Sequence, residues 1–137
     1  MNSEIEELIS RYGEETSFTR VAPTQAMLDE VKEQLGFTVP DQYLDYLNAY
    51  SHGGFGFEIL GIGFDGSISF LDETLEYRED GLPENLLVVE NCDEWLYCVD
   101  VSTGEVVSWY LDGEIYPAYS CFDDYLLDRI NDSIENM

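Results

Sequence analysis

The chain has 137 residues, 45% of them hydrophobic, including ten Tyr, seven Phe and two Trp, which is the size of one domain with enough apolar mass for a core. Thirty Asp and Glu stand against five Lys and Arg, a formal charge of −25. That sign excludes nucleic acid and anionic membranes as partners, because both are held by clustered Lys and Arg. It leaves two uses for the acidity, solubility or the capture of a positively charged protein.

The first residues, Met1-Asn2-Ser3-Glu4-Ile5-Glu6-Glu7, have no basic start followed by an apolar run, so they do not read as a secretory signal. Ser3 and Glu6 have the spacing of a capping box, and Ile5, Leu8, Ile9 and Tyr12 follow at helical period. A polar stretch leads to Pro23 and Thr24, the start of a second helix with Met27 or Leu28, Val31 and Leu35 inward and Gly36 at its end. Pro40 opens a third helix, with Tyr43, Leu44, Leu47 and Tyr50 facing the core and Gly53-Gly54 stopping it.

After Gly54 the period changes. Phe57 to Leu60 and Ser67 to Leu71 read as short strands, with Asp72 to Glu79 a short helical connection. Leu86 to Glu90, Trp95 to Val101, Glu105 to Tyr110 and Glu114 to Tyr119 follow as strands. Their short turns, Ser102-Thr103-Gly104 and Leu111-Asp112-Gly113 among them, require antiparallel neighbours. Ser120 is placed to cap a last helix whose inner side carries Phe122, Tyr125, Leu126, Arg129 and Ile130. Helices, then strands, then a helix predict an α+β fold: N-terminal helices, a mostly antiparallel twisted sheet of about five or six strands, and a C-terminal helix packed on it.

Catalytic and cofactor signatures are sparse. The one histidine, His52, adjoins Ser51 at a helix end and reads as a turn residue. Cys92, Cys98 and Cys121 fit no zinc spacing and read as small apolar residues in a reducing cytoplasm. The loop Gly61 to Ile68 places Gly61 and Gly63 where a calcium loop needs side-chain ligands. With thirty acids a carboxylate pair has no specificity as a glycosidase signal. The aromatic residues fall at core periodicity. No enzyme, cofactor or metal is expected on these grounds.

The acids are densest from Asp72 to Asp100: Asp72, Glu73, Glu76, Glu79, Asp80, Glu84, Glu90, Asp93, Glu94 and Asp100, opposed by Arg78 alone. Eight of them, Asp72, Glu73, Glu76, Glu79, Asp80, Glu84, Asp93 and Glu94, form the candidate partner-binding face.

Three segments together resemble the SUKH superfamily, which includes yeast cell-wall-assembly regulators and many bacterial immunity proteins. The first runs from Leu35-Gly36-Phe37-Thr38-Val39-Pro40 through Tyr43 and Leu47 to Gly53-Gly54, with Val39 where the family usually has Leu. The second comprises Leu86-Leu87-Val88-Val89-Glu90, Trp95-Leu96-Tyr97-Cys98-Val99-Asp100 and Gly104-Glu105-Val106-Val107-Ser108-Trp109. The third is Ser120-Cys121-Phe122-Asp123-Asp124-Tyr125-Leu126. The likeness covers residues 24–130 of what reads as a single SUKH-like domain, 1–137. It implies a cytoplasmic immunity protein that neutralises a cognate basic toxin domain of nuclease type. It also leaves open a regulatory scaffold with several protein partners and, with less support, a carboxylate-dependent enzyme.

Overall fold

The computed structural model describes residues 1–137. Three helices come first, α1 (Ser3–Tyr12), α2 (Gln25–Leu35) and α3 (Asp41–Ala49). A fourth, α4 (Ser69–Arg78), precedes strands β1 (Leu86–Asn91), β2 (Trp95–Asp100), β3 (Val106–Tyr110) and β4 (Ile115–Tyr119), and α5 (Phe122–Glu135) ends the fold. The strands form one antiparallel meander in the order β1-β2-β3-β4. The α+β class and the order of elements agree with the sequence reading.

The sheet has four strands rather than five or six. Phe57 to Leu60 makes only an isolated bridge, Gly53 with Ile59, and is not a strand. Leu60 instead donates its amide to the Val89 carbonyl, where a bulge between Val88 and Glu90 turns that group out of the ladder. Ser67 to Leu71 is not a strand, because α4 begins at Ser69. Ile68 and Phe70 alternate as a strand would, yet Phe70, Leu71 and Thr74 repeat at i, i+1, i+4 and are the buried residues of the helix. Five residues are too few to separate those periods.

The caps also differ in detail. Asn2, not Ser3, caps α1 by accepting the Glu4 amide, so the helix begins one residue earlier than a capping box at Ser3 requires. Thr24 caps α2 and Gly36, at φ +87°, ends it. Pro40 is the N-cap of α3 rather than its first turn. On α3 the buried residues are Tyr43, Tyr46 and Leu47, and Leu44 is only partly covered. At α5 the N-cap is Cys121, without a side-chain bond; Gln42 Oε1 of α3 accepts the Asp123 amide instead, while Ser120 Oγ hydrogen bonds Asp124.

One apolar cluster runs from Ile5 to Ile130 and joins all five helices to the sheet. Register assigns the sheet faces. Leu96 pairs with Trp109 and Cys98 with Val107, so these four share a face, and Tyr77 of α4 meets Trp109 on it. Trp95, Tyr97, Ser108 and Tyr110 share the other face, where Tyr125 of α5 lies against Tyr97. No helix is long and apolar enough to cross a membrane.

Candidate functional site

α4 fastens to β1 through Phe70, Leu71 and Thr74, whose hydroxyl accepts the Val88 amide at 3.0 Å. With 3.6 residues per turn, Asp72, Glu73 and Glu76 fall within an arc of about 100° opposite that buried side, and Glu79 and Asp80 follow in the turn just past the helix end. All but the partly covered Glu73 are exposed. Helical periodicity therefore groups three acids on one face of α4, and the turn after Arg78 adds two more beyond it.

The other three sequence-predicted residues flank it. Asn91 at the end of β1 donates to Glu73 Oε1 at 2.9 Å and accepts the Asp93 amide at 2.9 Å, tying the Asp93-Glu94 turn to the Glu73 end. Asp93 takes φ +66°, a conformation Asp tolerates better than most residues. Glu84 lies at the other end, in the loop between α4 and β1. There the Arg78 guanidinium donates to the Glu84 and Leu35 carbonyls and sits over the Phe37 ring. The single base of this region is thus occupied in joining α2, α4 and the loop, and leaves this acidic stripe uncompensated.

Glu90 and Asp100 have different uses. Glu90 is 4% exposed and receives a bidentate pair from Arg129, at 2.9 and 2.7 Å, plus the Tyr125 hydroxyl at 2.7 Å. Hydrogen bonding to Glu90, against the opposing effect of burial, pushes the Arg129 guanidinium up. Burial and the Glu90 charge push the neighbouring Cys92 thiol up to about 12, which leaves it almost wholly protonated at neutral pH. Asp100 is partly buried, which raises its carboxyl, but bonds from the Ser102 hydroxyl and amide outweigh this and hold it low. It braces the β2–β3 turn.

His52 has neighbours that the sequence did not place beside it. Its Nδ1 lies 3.0 Å from Ser69 Oγ and its Nε2 3.6 Å from Glu58 Oε2. The outline is that of a Ser-His-acid relay, but the Ser69 hydroxyl donates to the Gly61 carbonyl at 2.9 Å and accepts the Gly61 amide at 2.9 Å. The Gly61 amide also lies 3.2 Å from His52 Nδ1, so hydroxyl and ring both bond the Gly61 backbone and serve the loop's structure. The cluster holds Gly61 against the Ser51-His52 backbone, where a Cβ on Gly61 would stand 2.4 Å from the His52 main-chain nitrogen. Adjacent Ser51 is turned away and accepts the Ile62 amide. The Gly61 to Ile68 loop is closed by Asp65, which accepts the Ser67 amide; bonds to Ser67 hold its carboxyl low. No three His, Cys, Asp or Glu side chains gather to hold a metal ion.

Most aromatic residues do lie in the core that their periodicity predicts, but several on β2, β3 and β4 do not. Tyr116 is 49% exposed, and Trp95 and Tyr110 are only partly covered. Strand alternation is the signal that could have found them, since it sends Trp95 and Tyr97 to the face opposite Leu96 and Cys98.

The chain matches the family described as SMI1-KNR4 cell-wall (SUKH_5) over residues 1–131. Among solved structures, "Crystal structure of protein from Pseudomonas syringae pv. tomato" is similar with a TM-score of 0.65 and 24% identity, covering 84% of this chain and 89% of that chain. At that identity the likeness is one of fold.

Proposed function

The chain belongs to the SMI1-KNR4 family of the SUKH superfamily, and from that premise we propose that it is a cytoplasmic immunity protein that binds and neutralises a basic, nuclease-type toxin domain. The observation that carries the reading is the uncompensated acidic stripe of α4 and the turn after it, Asp72, Glu73, Glu76, Glu79 and Asp80, flanked by Glu84, Asp93 and Glu94. A nuclease needs positive charge to hold phosphates. An acidic face laid over that cleft competes for the same charges and speeds the encounter. The role asks for no catalysis and no cofactor. It takes the chain as one binding unit, 1–137.

The test is purified toxin domain encoded beside this gene, assayed for nucleic-acid cleavage with and without the protein. Equimolar protein should abolish cleavage, and raising salt from 50 to 500 mM should slow association about tenfold or more with little change in dissociation. Replacing Glu73, Glu76, Asp93 and Glu94 by their amides should slow association in the same way. Absence of binding at low salt overturns the reading for that pair. Many weak partners and no protection from the toxin would favour a regulatory scaffold.

A further inference from the structure

The sheet face that α5 shares carries an aromatic ladder extending past the helix. Tyr97 is half-buried beneath α5: its ring lies 5.2 Å from that of Tyr125, and the Arg129 guanidinium sits 5.7 Å from its centroid. Further out the ladder continues without a helix above it. Trp95 stacks on its cross-strand partner Tyr110 at 6.0 Å and 30°, and Tyr110 meets Tyr116 edge-on at 5.6 Å. Tyr116 belongs to β4, the free edge strand, in which all residues but Tyr119 are exposed.

The rim of this strip is acidic. Asp93 and Glu94 precede Trp95 in one turn, and Asp112 and Glu114 lie in the turn between Tyr110 and Tyr116, at the same end of the sheet. Glu114 accepts the Tyr116 hydroxyl. No Lys or Arg occurs between Arg78 and Arg129, so the sheet has no cation of its own except the buried pair at Glu90.

We propose that Trp95, Tyr110 and Tyr116 form the docking strip for an arginine-bearing segment of the partner, with Glu94, Asp112 and Glu114 holding the guanidinium edges. This rests on the immunity reading and adds a second contact to it, on the sheet face opposite α4 and continuous with the acidic stripe through the Asp93-Glu94 turn. The chain itself carries the template: Arg129 lies against Tyr97 with Glu90 at its edge, and the proposed site repeats aromatic face plus carboxylate one step along the ladder. Arginine suits the strip better than lysine because its planar, weakly hydrated head stacks on a ring while its edge bonds a carboxylate. A second copy of this chain is disfavoured, because it would bring two charges of −25 together and set two acidic rims in contact.

The test uses the whole protein, labelled for amide and indole NMR, titrated with the blocked peptide Gly-Arg-Gly-Arg-Gly and with its lysine counterpart in 150 mM salt. The Trp95 indole should move with the arginine peptide, while the buried Trp109 indole stays as an internal control. Affinity for the lysine peptide should be about threefold weaker or worse. Tyr116→Ser, at an exposed position, should erase the preference and leave the acidic surface's equal, weak binding. Equal affinity for both peptides, or shifts confined to the α4 stripe, overturns the strip. Toxin inhibition separates the two claims. Trp95→Ser/Tyr116→Ser inhibiting as well as the parent sinks the strip and keeps the immunity role. Failure of the parent to inhibit sinks the immunity role, whatever the peptides do.

Discussion

Glu90 and Arg129 show how a chain this acidic buries a charge. The carboxylate receives three bonds, two from Arg129 and one from Tyr125, so its desolvation is answered by geometry. The guanidinium stays partly exposed and also reaches Asp132 at 3.7 Å. Removing one partner leaves an uncompensated charge inside, whereas removing both leaves a neutral gap. Arg129→Met should therefore lower the unfolding free energy by about 3–5 kcal/mol in urea denaturation, and Glu90→Gln/Arg129→Met should recover most of that loss. If the double variant is as unstable as the single, the pair contributes packing alone. Tyr125 remains neutral throughout, since burial, reinforced by the Glu90 charge, pushes its hydroxyl well up.

At the scale of elements, Gly53 joins the N-terminal segment to the end of α3. It bridges Phe18 and Ile59, and Gly54 donates to the Ser17 carbonyl at 2.9 Å. A Cβ on Gly53 would stand 2.0 Å from the Ser17 oxygen at φ +143°, whereas one on Gly36, at φ +87°, meets nothing within 4 Å. Gly53→Ala should thus cost roughly 3 kcal/mol or more by adding a backbone clash to the strain, and Gly36→Ala about 1–2 kcal/mol from strain alone. Equal losses in thermal or urea melts would remove the clash from the account. The same two positions mark the reach of sequence reasoning. Gly36 was legible because a helix end is local. The work of Gly53 was not, because Ser17 approaches from a segment that sequence shows only as polar loop. Likewise the grouping of Asp72, Glu73 and Glu76 follows from helical spacing, but its junction with Asp93 and Glu94 depends on the reach of Asn91. The half-covered strip at Trp95 and Tyr110 was only half legible: strand alternation assigns these rings to the face opposite Leu96 and Trp109, but both faces of β2 and β3 carry apolar residues, so alternation does not say which rings a helix covers.

For the whole molecule, the charge acts on the free fold and on the complex with opposite signs of salt dependence. Of the five bases, Arg78 and Arg129 are partly buried and bonded within the fold, Arg11 pairs with Glu7 on the same helix, and Arg20 lies over Tyr50. The remaining acids repel one another at distances that a Debye length of about 8 Å at physiological salt only partly screens. Folding gathers those charges, so salt relieves the compact state more than the unfolded chain. Raising sodium chloride from 10 to 500 mM at pH 7 should stabilise the fold by about 1 kcal/mol or more, a rise of about 3–5 °C in melting temperature for a domain of this size. Over the same range, capture of a basic partner should slow, because the field that destabilises the fold is the field that steers the encounter. A melting temperature that falls with salt would mean that attractive pairs dominate the folded state, and the excess charge would then no longer count as a cost of binding.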